Sequence, residues 1–223
     1  MRRRFRLTTW GTVVLAALAC ALIPSRASAQ DDETGWYLLA TGSLQQRQRS
    51  SEGAATYADF NAGFGAGSAI GYFVGPLAFE GEFSFLRNAA DVVAFPSFGT
   101  GEGTGSATVQ AYMGNLRFSF APRGPFTPYI AAGFGGLKSG LHSLSNALGA
   151  AAGLAADGSN NGIVVAYQFR VGAGVRLTPR AQLLVGYRYL HGGELLYVDT
   201  AFGDLRPDGV RTHHLEATVR IGL

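Results

Sequence analysis

Val165-Ala-Tyr167-Gln-Phe169-Arg-Val171-Gly-Ala173-Gly-Val175-Arg-Leu177 sets every odd-numbered residue, apolar or aromatic, on one face and Gln168, Arg170 and Arg176 on the other. A period of two is strand geometry, because successive side chains leave a pleated backbone on opposite sides. The pattern recurs in Leu77 to Phe85, where Leu77, Phe79, Gly81, Phe83 and Phe85 oppose Ala78, Glu80, Glu82 and Ser84. It recurs again at the end of the chain, with Leu215, Ala217, Val219, Ile221 and Leu223 opposite His214, Glu216, Thr218 and Arg220.

Working outward, the same alternation predicts eight strands near 35–45, 60–73, 77–87, 106–120, 126–138, 162–177, 181–190 and 211–223. Thr41-Gly-Ser43 and Ala131 to Gly136 alternate least well. The connections carry an independent pattern. Short turn-forming links, Val74-Gly75-Pro76, Pro122 to Pro125 and Thr178-Pro179-Arg180, follow the second, fourth and sixth strands. Long polar or small-residue links, such as Gln46 to Gly53, Ala147 to Gly153 and Ala156 to Asn161, follow the odd-numbered ones.

A soluble sandwich would also alternate, but with a polar solvent face and strands of about 5–6 residues. Here the apolar face is rich in Phe, Tyr, Leu and Val, and the other mixes Gly, Ala and charge. Lipid outside and a narrow interior inside demand that inversion, and closure satisfies every backbone group without water. The expected fold is therefore all-β: an eight-stranded antiparallel up-and-down transmembrane β-barrel, with turns and both termini periplasmic and four loops outside. Trp36, Tyr72, Phe73, Phe118, Phe120 and Tyr129 are expected at the periplasmic rim, and Phe60, Tyr187 and Tyr189 at the outer one.

The N-terminus sets the compartment. Arg2, Arg3, Arg4 and Arg6 precede an apolar run from Trp10 to Ile23, and Ala27-Ser28-Ala29 supplies a cleavage site. The run spans about 14 residues, short for a bilayer helix. Residues 1–29 read as a Sec-type signal peptide and 30–223 as the barrel domain. Cys20 follows Ala17-Leu18-Ala19 and sits within the apolar run, a poor lipidation context. Cleavage after Ala29 would leave no cysteine to act as thiol or ligand. The signal segment also removes five arginines from 18 basic residues, leaving 13 against 15 acidic ones, a net charge of −2. Nucleic-acid binding thereby loses its electrostatic basis.

Three stretches carry a family likeness: Phe126 to Gly135, Tyr167 to Leu190 with its Thr178-Pro179-Arg180 turn, and Leu215 to Leu223. The chain resembles the OmpA-like and opacity-type eight-stranded outer-membrane proteins, often labelled porin family. The resemblance implies a bacterial outer-membrane location and contact with outer-membrane lipid and lipopolysaccharide. It also implies handling by periplasmic chaperones and the barrel-assembly machinery, which would read Leu215, Ala217, Val219, Ile221 and Leu223. The family commonly ends in phenylalanine where this chain has Leu223. The chain stops at the barrel, so a wall-anchoring role is not carried over.

Eight strands enclose a space just wide enough for side chains. The inferred register puts Glu80, Glu82, Asn115, Arg117, Gln168, Arg170, Arg188, Glu216 and Arg220 there. Isolated charges in a narrow lumen are costly, so bidentate arginine–carboxylate pairs are expected. Such a network serves either as a fixed plug or as a gate for a small ion conductance.

Catalytic signals are thin. His142-Ser143-Leu144-Ser145-Asn146 bears a distant likeness to the His/Ser pair of outer-membrane lipid A deacylases, with the spacing off by one residue. All four histidines fall in or beside expected loops, where they read as solvated. His213-His214 with Glu194 or Asp199 is a weak metal set, because neighbouring strand residues point apart. Gly63-Phe-Gly65-Ala-Gly67 lies in a strand, with no helix behind it to form an anion site. No catalytic residue and no cofactor is expected. A structural or surface-interaction role, with any surface ligand meeting the loops, stands beside the narrow-channel alternative.

Overall fold

The computed structural model describes residues 34–52, 56–95, 99–120, 126–160, 162–200 and 203–223. The signal segment, Cys20 and the Pro122 to Pro125 turn lie outside them. Thirteen strands are present among these residues: β1 (Thr34–Arg47), β2 (Ser50–Glu52), β3 (Thr56–Phe60), β4 (Gly63–Val74), β5 (Leu77–Phe95), β6 (Gly99–Ser119), β7 (Phe126–Asn146), β8 (Ala156–Ser159), β9 (Val164–Arg176), β10 (Ala181–Gly192), β11 (Tyr197–Thr200), β12 (Gly203–Leu205) and β13 (Val210–Gly222). Eight of them form a closed antiparallel ring in chain order, β1-β4-β5-β6-β7-β9-β10-β13, with β13 pairing back to β1. Closure leaves no free sheet edge within the ring.

Every ring strand coincides with an expected one, but β5, β6 and β7 run 19, 21 and 21 residues and reach well past 77–87, 106–120 and 126–138. The alternation does not stop there; it changes sign. Beyond the lipid band Leu86, Ala90 and Val93 face inward while Arg87 and Asp91 face water, so the apolar residues switch faces. A lipid-based reading ends where that switch occurs. The three strands overtop the rest of the ring by roughly eight residues, about 26 Å at ~3.3 Å per residue. The β2–β3 hairpin pairs with β5 along one side of this wall, and β8 pairs with β7 on the other. Parts of the expected loops after the first, third and fifth strands are thus sheet. Ala147–Ala151 is a single helical turn, capped by Asn146, whose side chain accepts from the Gly149 amide.

The outward face of the ring is apolar. Leu44, Phe79, Phe134, Phe169, Val185 and Leu215 are all largely exposed, as lipid-facing residues must be. Trp36 packs against Tyr72, and Phe118 against Phe120, near the turn end. Phe60, Phe73 and Tyr129 are not rim anchors: Phe73 and Tyr129 are buried in the turn-end apolar cluster of the ring, and Phe60, on β3, in the loop-end one. In β7 the run Ala131 to Gly136 gave no phase from which the inward position of Tyr129 could be read.

The interior is layered rather than polar throughout. On the loop-end side of Glu82, Asn115, Gln168, Arg188 and Glu216 each strand turns an apolar residue inward: Leu86, Met113, Ala166, Leu190 and Val210. On the turn-end side a second apolar group, including Tyr37, Phe73, Ala78, Tyr129 and Leu184, fills the space. The charged layer lies between the two.

The loop-end layer is closed by Leu195 and Tyr197 from the β10–β13 connection. The Tyr197 hydroxyl donates to Ser139 Oγ at 2.7 Å, with both residues almost fully buried. Tyr197→Phe is expected to lose at least about 1 kcal/mol, the net worth of the Ser139 bond, because the hydroxyl also partners the buried Arg47 guanidinium. Urea unfolding of the protein in detergent would measure it, and an unchanged midpoint would mean that water replaces the contact.

Candidate functional site

Glu82 of β5 organises the charged layer. Its Oε1 accepts from Arg170 Nη2 at 2.7 Å and Arg188 Nη1 at 3.0 Å. Its Oε2 accepts from Asn115 Nδ2 at 2.8 Å and Gln168 Nε2 at 3.0 Å. Across the lumen, Glu216 Oε1 lies 3.2 Å from Arg188 Nη1, and Glu216 Oε2 lies 3.3 Å from Arg170 Nε. Two carboxylates and two guanidiniums thus form a closed cycle, with each arginine bridging both acids instead of forking onto one. Arg188 Nη2 also donates to Ser84 Oγ at 3.1 Å. The cycle draws on β5, β9, β10 and β13, with Asn115 adding β6.

A second pair sits one step toward the turn end. Arg117 Nε lies 2.8 Å from Glu80 Oε1, and the Tyr37 hydroxyl donates to the same oxygen at 2.7 Å. The Arg117 guanidinium lies 4.4 Å from the Tyr129 ring centroid, a cation–π contact in a desolvated place. Three glutamates face three arginines across the two groups, so the layer is electroneutral. Buried ion pairs hold their charges best where the remaining lone pairs and protons are also met; Asn115, Gln168, Ser84 and Tyr37 meet some of them, while Glu80 Oε2, Arg117 Nη1 and Arg188 Nε have no hydrogen-bond partner among the described residues.

Of the nine residues expected in the lumen, the structure brings eight together in this layer. Arg220 stands apart, half-buried at the turn end, 4.7 Å from the Phe73 ring centroid. Tyr37, Ser84 and Tyr129 also belong to the layer, although the sequence reading assigned Tyr129 to the rim and gave Tyr37 and Ser84 no place in the lumen network. Their inward phase follows from pairing with strands whose phase is clear: Tyr37 is two residues from Leu39 in the β1–β4 register, and Tyr129 faces Gly172 of β9.

The histidines divide. His214 is fully buried and bonds Thr212 Oγ1 at 2.8 Å, so it is an interior residue and not a solvated loop residue. His213 points outward, between Tyr187 and Gln48. The two side chains leave the strand on opposite faces, and among the described residues no three His, Cys, Asp or Glu side chains converge on a metal position. The Asp199 side chain lies outside those residues. His142 Nε2 contacts Thr108 Oγ1 at 3.0 Å, while Ser143 meets Asp157 through its backbone N–H, at 2.7 Å. Ser145 Oγ donates to the Leu154 carbonyl. These contacts draw His142, Ser143 and Ser145 in different directions, with no serine hydroxyl held by the imidazole. Arg47 is likewise buried, stacked 4.5 Å from the Phe60 centroid, although its place in the sequence suggested a polar loop.

Leu215, Ala217, Val219, Ile221 and Leu223 form an outward apolar stripe on β13 and just past its end. Val219 pairs with Ala40 and Leu183, in the strands to either side.

Comparison with known proteins agrees with this geometry. Residues 13–220 match the profile of the outer membrane protein beta-barrel domain family. The crystal structure of Neisserial surface protein A is similar, with a TM-score of 0.58 at 18% identity, covering 87% of this chain and 100% of that one. The outer membrane protein AlkL, in lipid bilayers, has a TM-score of 0.50 at 14% identity, covering 91% of this chain and 97% of that one. At such identities the likeness is one of fold. A comparison with curated proteins returned no match.

Proposed function

This chain belongs to the outer membrane protein beta-barrel domain family, and on that premise we propose that it is a sealed barrel with a structural and surface-interaction role in the cell envelope. Its place is the bacterial outer membrane. The observation that carries the sealed reading is the pair of apolar layers on either side of the Glu82–Arg170–Glu216–Arg188 cycle. An ion crossing the lumen would have to leave the paired charges and pass clusters of buried apolar side chains, which costs several kcal/mol per charge.

In this proposal residues 1–29 direct export through the Sec pathway and are removed after Ala29. Periplasmic chaperones and the assembly machinery then take up the chain, the latter through the β13 stripe ending at Leu223. The turn end faces the periplasm, and the β5–β6–β7 wall rises outside among lipopolysaccharide, where a surface ligand would meet it. The protein acts without a catalytic residue. The contacts of His142, Ser143 and Ser145 support that, and unchanged acylation of lipid A after expression is the expected result.

Planar-bilayer recording of the purified protein is expected to show no discrete conductance steps. Steps that change on Glu82→Ala or Arg170→Ala would replace this reading by the alternative, a narrow channel gated by the lumen pairs. Orientation has its own test, since cleavage after Ala29 leaves no native cysteine. Ser51→Cys is expected to react with an impermeant maleimide on intact cells, and Arg180→Cys only after the outer membrane is opened.

A further inference from the structure

We propose that the loop end of the lumen holds one enclosed halide ion, bound against the buried guanidinium of Arg47.

Charge balance is the first argument. Among the described residues the buried side chains include three carboxylates, Glu80, Glu82 and Glu216, and four guanidiniums, Arg47, Arg117, Arg170 and Arg188. The three glutamates are bridged by the last three arginines. Arg47, only 3% exposed, is the surplus charge. In the β1–β13 register it stands opposite Thr212, whereas Glu216 stands opposite Ser43. Four residues separate those levels, roughly 13 Å along the strand, too far for an ion pair. On the neighbouring hairpin Asp59 is already paired with Arg49, and exposed Asp208 accepts from the Ser51 hydroxyl. A buried cation without a counter-charge is among the costliest features a fold can carry, so an anion is implied.

What Arg47 does touch is neutral. Its guanidinium stacks 4.5 Å from the Phe60 ring centroid and bonds the Tyr197 hydroxyl. Its Nε and Nη1 are enclosed and have no hydrogen-bond partner among the described residues. The buried Ser50 Oγ has none either. Both residues lie against one surface. Ser50 pairs with Ala58 of β3, and Ala58 and Phe60, two residues apart, belong to the same apolar cluster. The polar neighbours are committed elsewhere: the Gln45 amide donates to Asn88 Oδ1, and Thr212 Oγ1 bonds His214.

The chemistry of the occupant follows. Water would meet the N–H groups and leave the charge uncompensated. A carboxylate or phosphate brings further oxygens that need donors, and the surrounding cluster of Phe60, Leu195 and Tyr197 is largely apolar. A monatomic halide is small, accepts from any direction and supplies the missing negative charge. Chloride is the abundant one.

The test begins with the full mature protein refolded and crystallised with bromide in place of chloride. An anomalous bromide peak is expected within hydrogen-bond distance of Arg47 and Ser50. Urea unfolding is then followed at constant ionic strength, with chloride exchanged for gluconate, a bulky carboxylate. Above the dissociation constant, each tenfold rise in chloride should raise the folded-to-unfolded ratio about tenfold in the parent, because the ion binds only the folded barrel. Arg47→Met should remove that dependence, and Ser50→Ala should shift it to higher chloride. A heat-dependent gel shift reports which variants fold, and Ser50→Ala carries the comparison if Arg47→Met does not. Water without anomalous signal at Arg47, bromide confined to the outer surface, or a parental chloride dependence in the folded variants would each overturn the proposal.

Discussion

Glu82→Ala is expected to lower the unfolding free energy by about 3–5 kcal/mol, the range for removing one partner of a buried charge pair. Glu82 accepts from Arg170, Arg188, Asn115 and Gln168, which lie on three different strands. Alanine would leave two guanidiniums to share Glu216 alone, in a layer that lies between two clusters of buried apolar side chains. The larger part of the loss is therefore the cost of stranded charge, and not the worth of the lost attraction. That distinction is measurable. A double variant, Glu82→Leu with Arg170→Leu, keeps the layer electroneutral and should recover much of the single variant's loss. Urea titration, with the folded fraction read as the heat-modifiable band on a detergent gel, supplies both numbers. A single-variant loss below about 1 kcal/mol, typical of exposed pairs, would mean that water reaches the layer. The sealed-barrel reading would fall with it.

The second large effect comes from the outward face of the ring. Val185→Arg is expected to cost about 2–4 kcal/mol, because it places a guanidinium at the depth of the bilayer midplane. Val185 is half exposed, pairs with Ala173 and Ala217, and lies midway along the outward stripe of β10. Those alanine neighbours offer no polar partner, so the new charge must reach for a headgroup or carry water with it. Ala181→Arg, at the turn end of the same strand, should cost only about 0–1 kcal/mol, since its charge reaches the interface. The comparison is made in lipid vesicles with the same urea titration. Equal costs at the two depths would show that this stripe does not face hydrocarbon.

The two substitutions probe faces that the sequence separated unequally. The lipid face was legible because one physical rule governs it: every outward residue across the hydrocarbon must be apolar, so β5, β9 and β13 alternate cleanly and fix their own phase. The polar side of those strands placed Glu80, Glu82, Gln168, Arg170 and Glu216 in the lumen by the same rule. Where glycine and alanine dilute the pattern, as in β1 and β7, a strand could be placed but its phase could not. Tyr37 and Tyr129 were missed or misdirected for that reason. Beyond the lipid the rule reverses, and β5, β6 and β7 continued as strands where the alternation seemed to end.

The sequence by itself determined the class of the fold, the ring of eight strands, and most of the residues that line its interior. Local periodicity is enough for that, because each strand answers to the solvent on either side of it. Tertiary structure alone decided which charges meet. Arg170 and Arg188 bridge both Glu82 and Glu216 because closure and stagger of the ring bring β5, β9, β10 and β13 to one level, while Arg220 is carried down to the mouth. Closure also buried His214 and Arg47 and stacked apolar layers above and below the charges. Those placements depend on the register between strands distant in sequence, and no single strand carries a record of it.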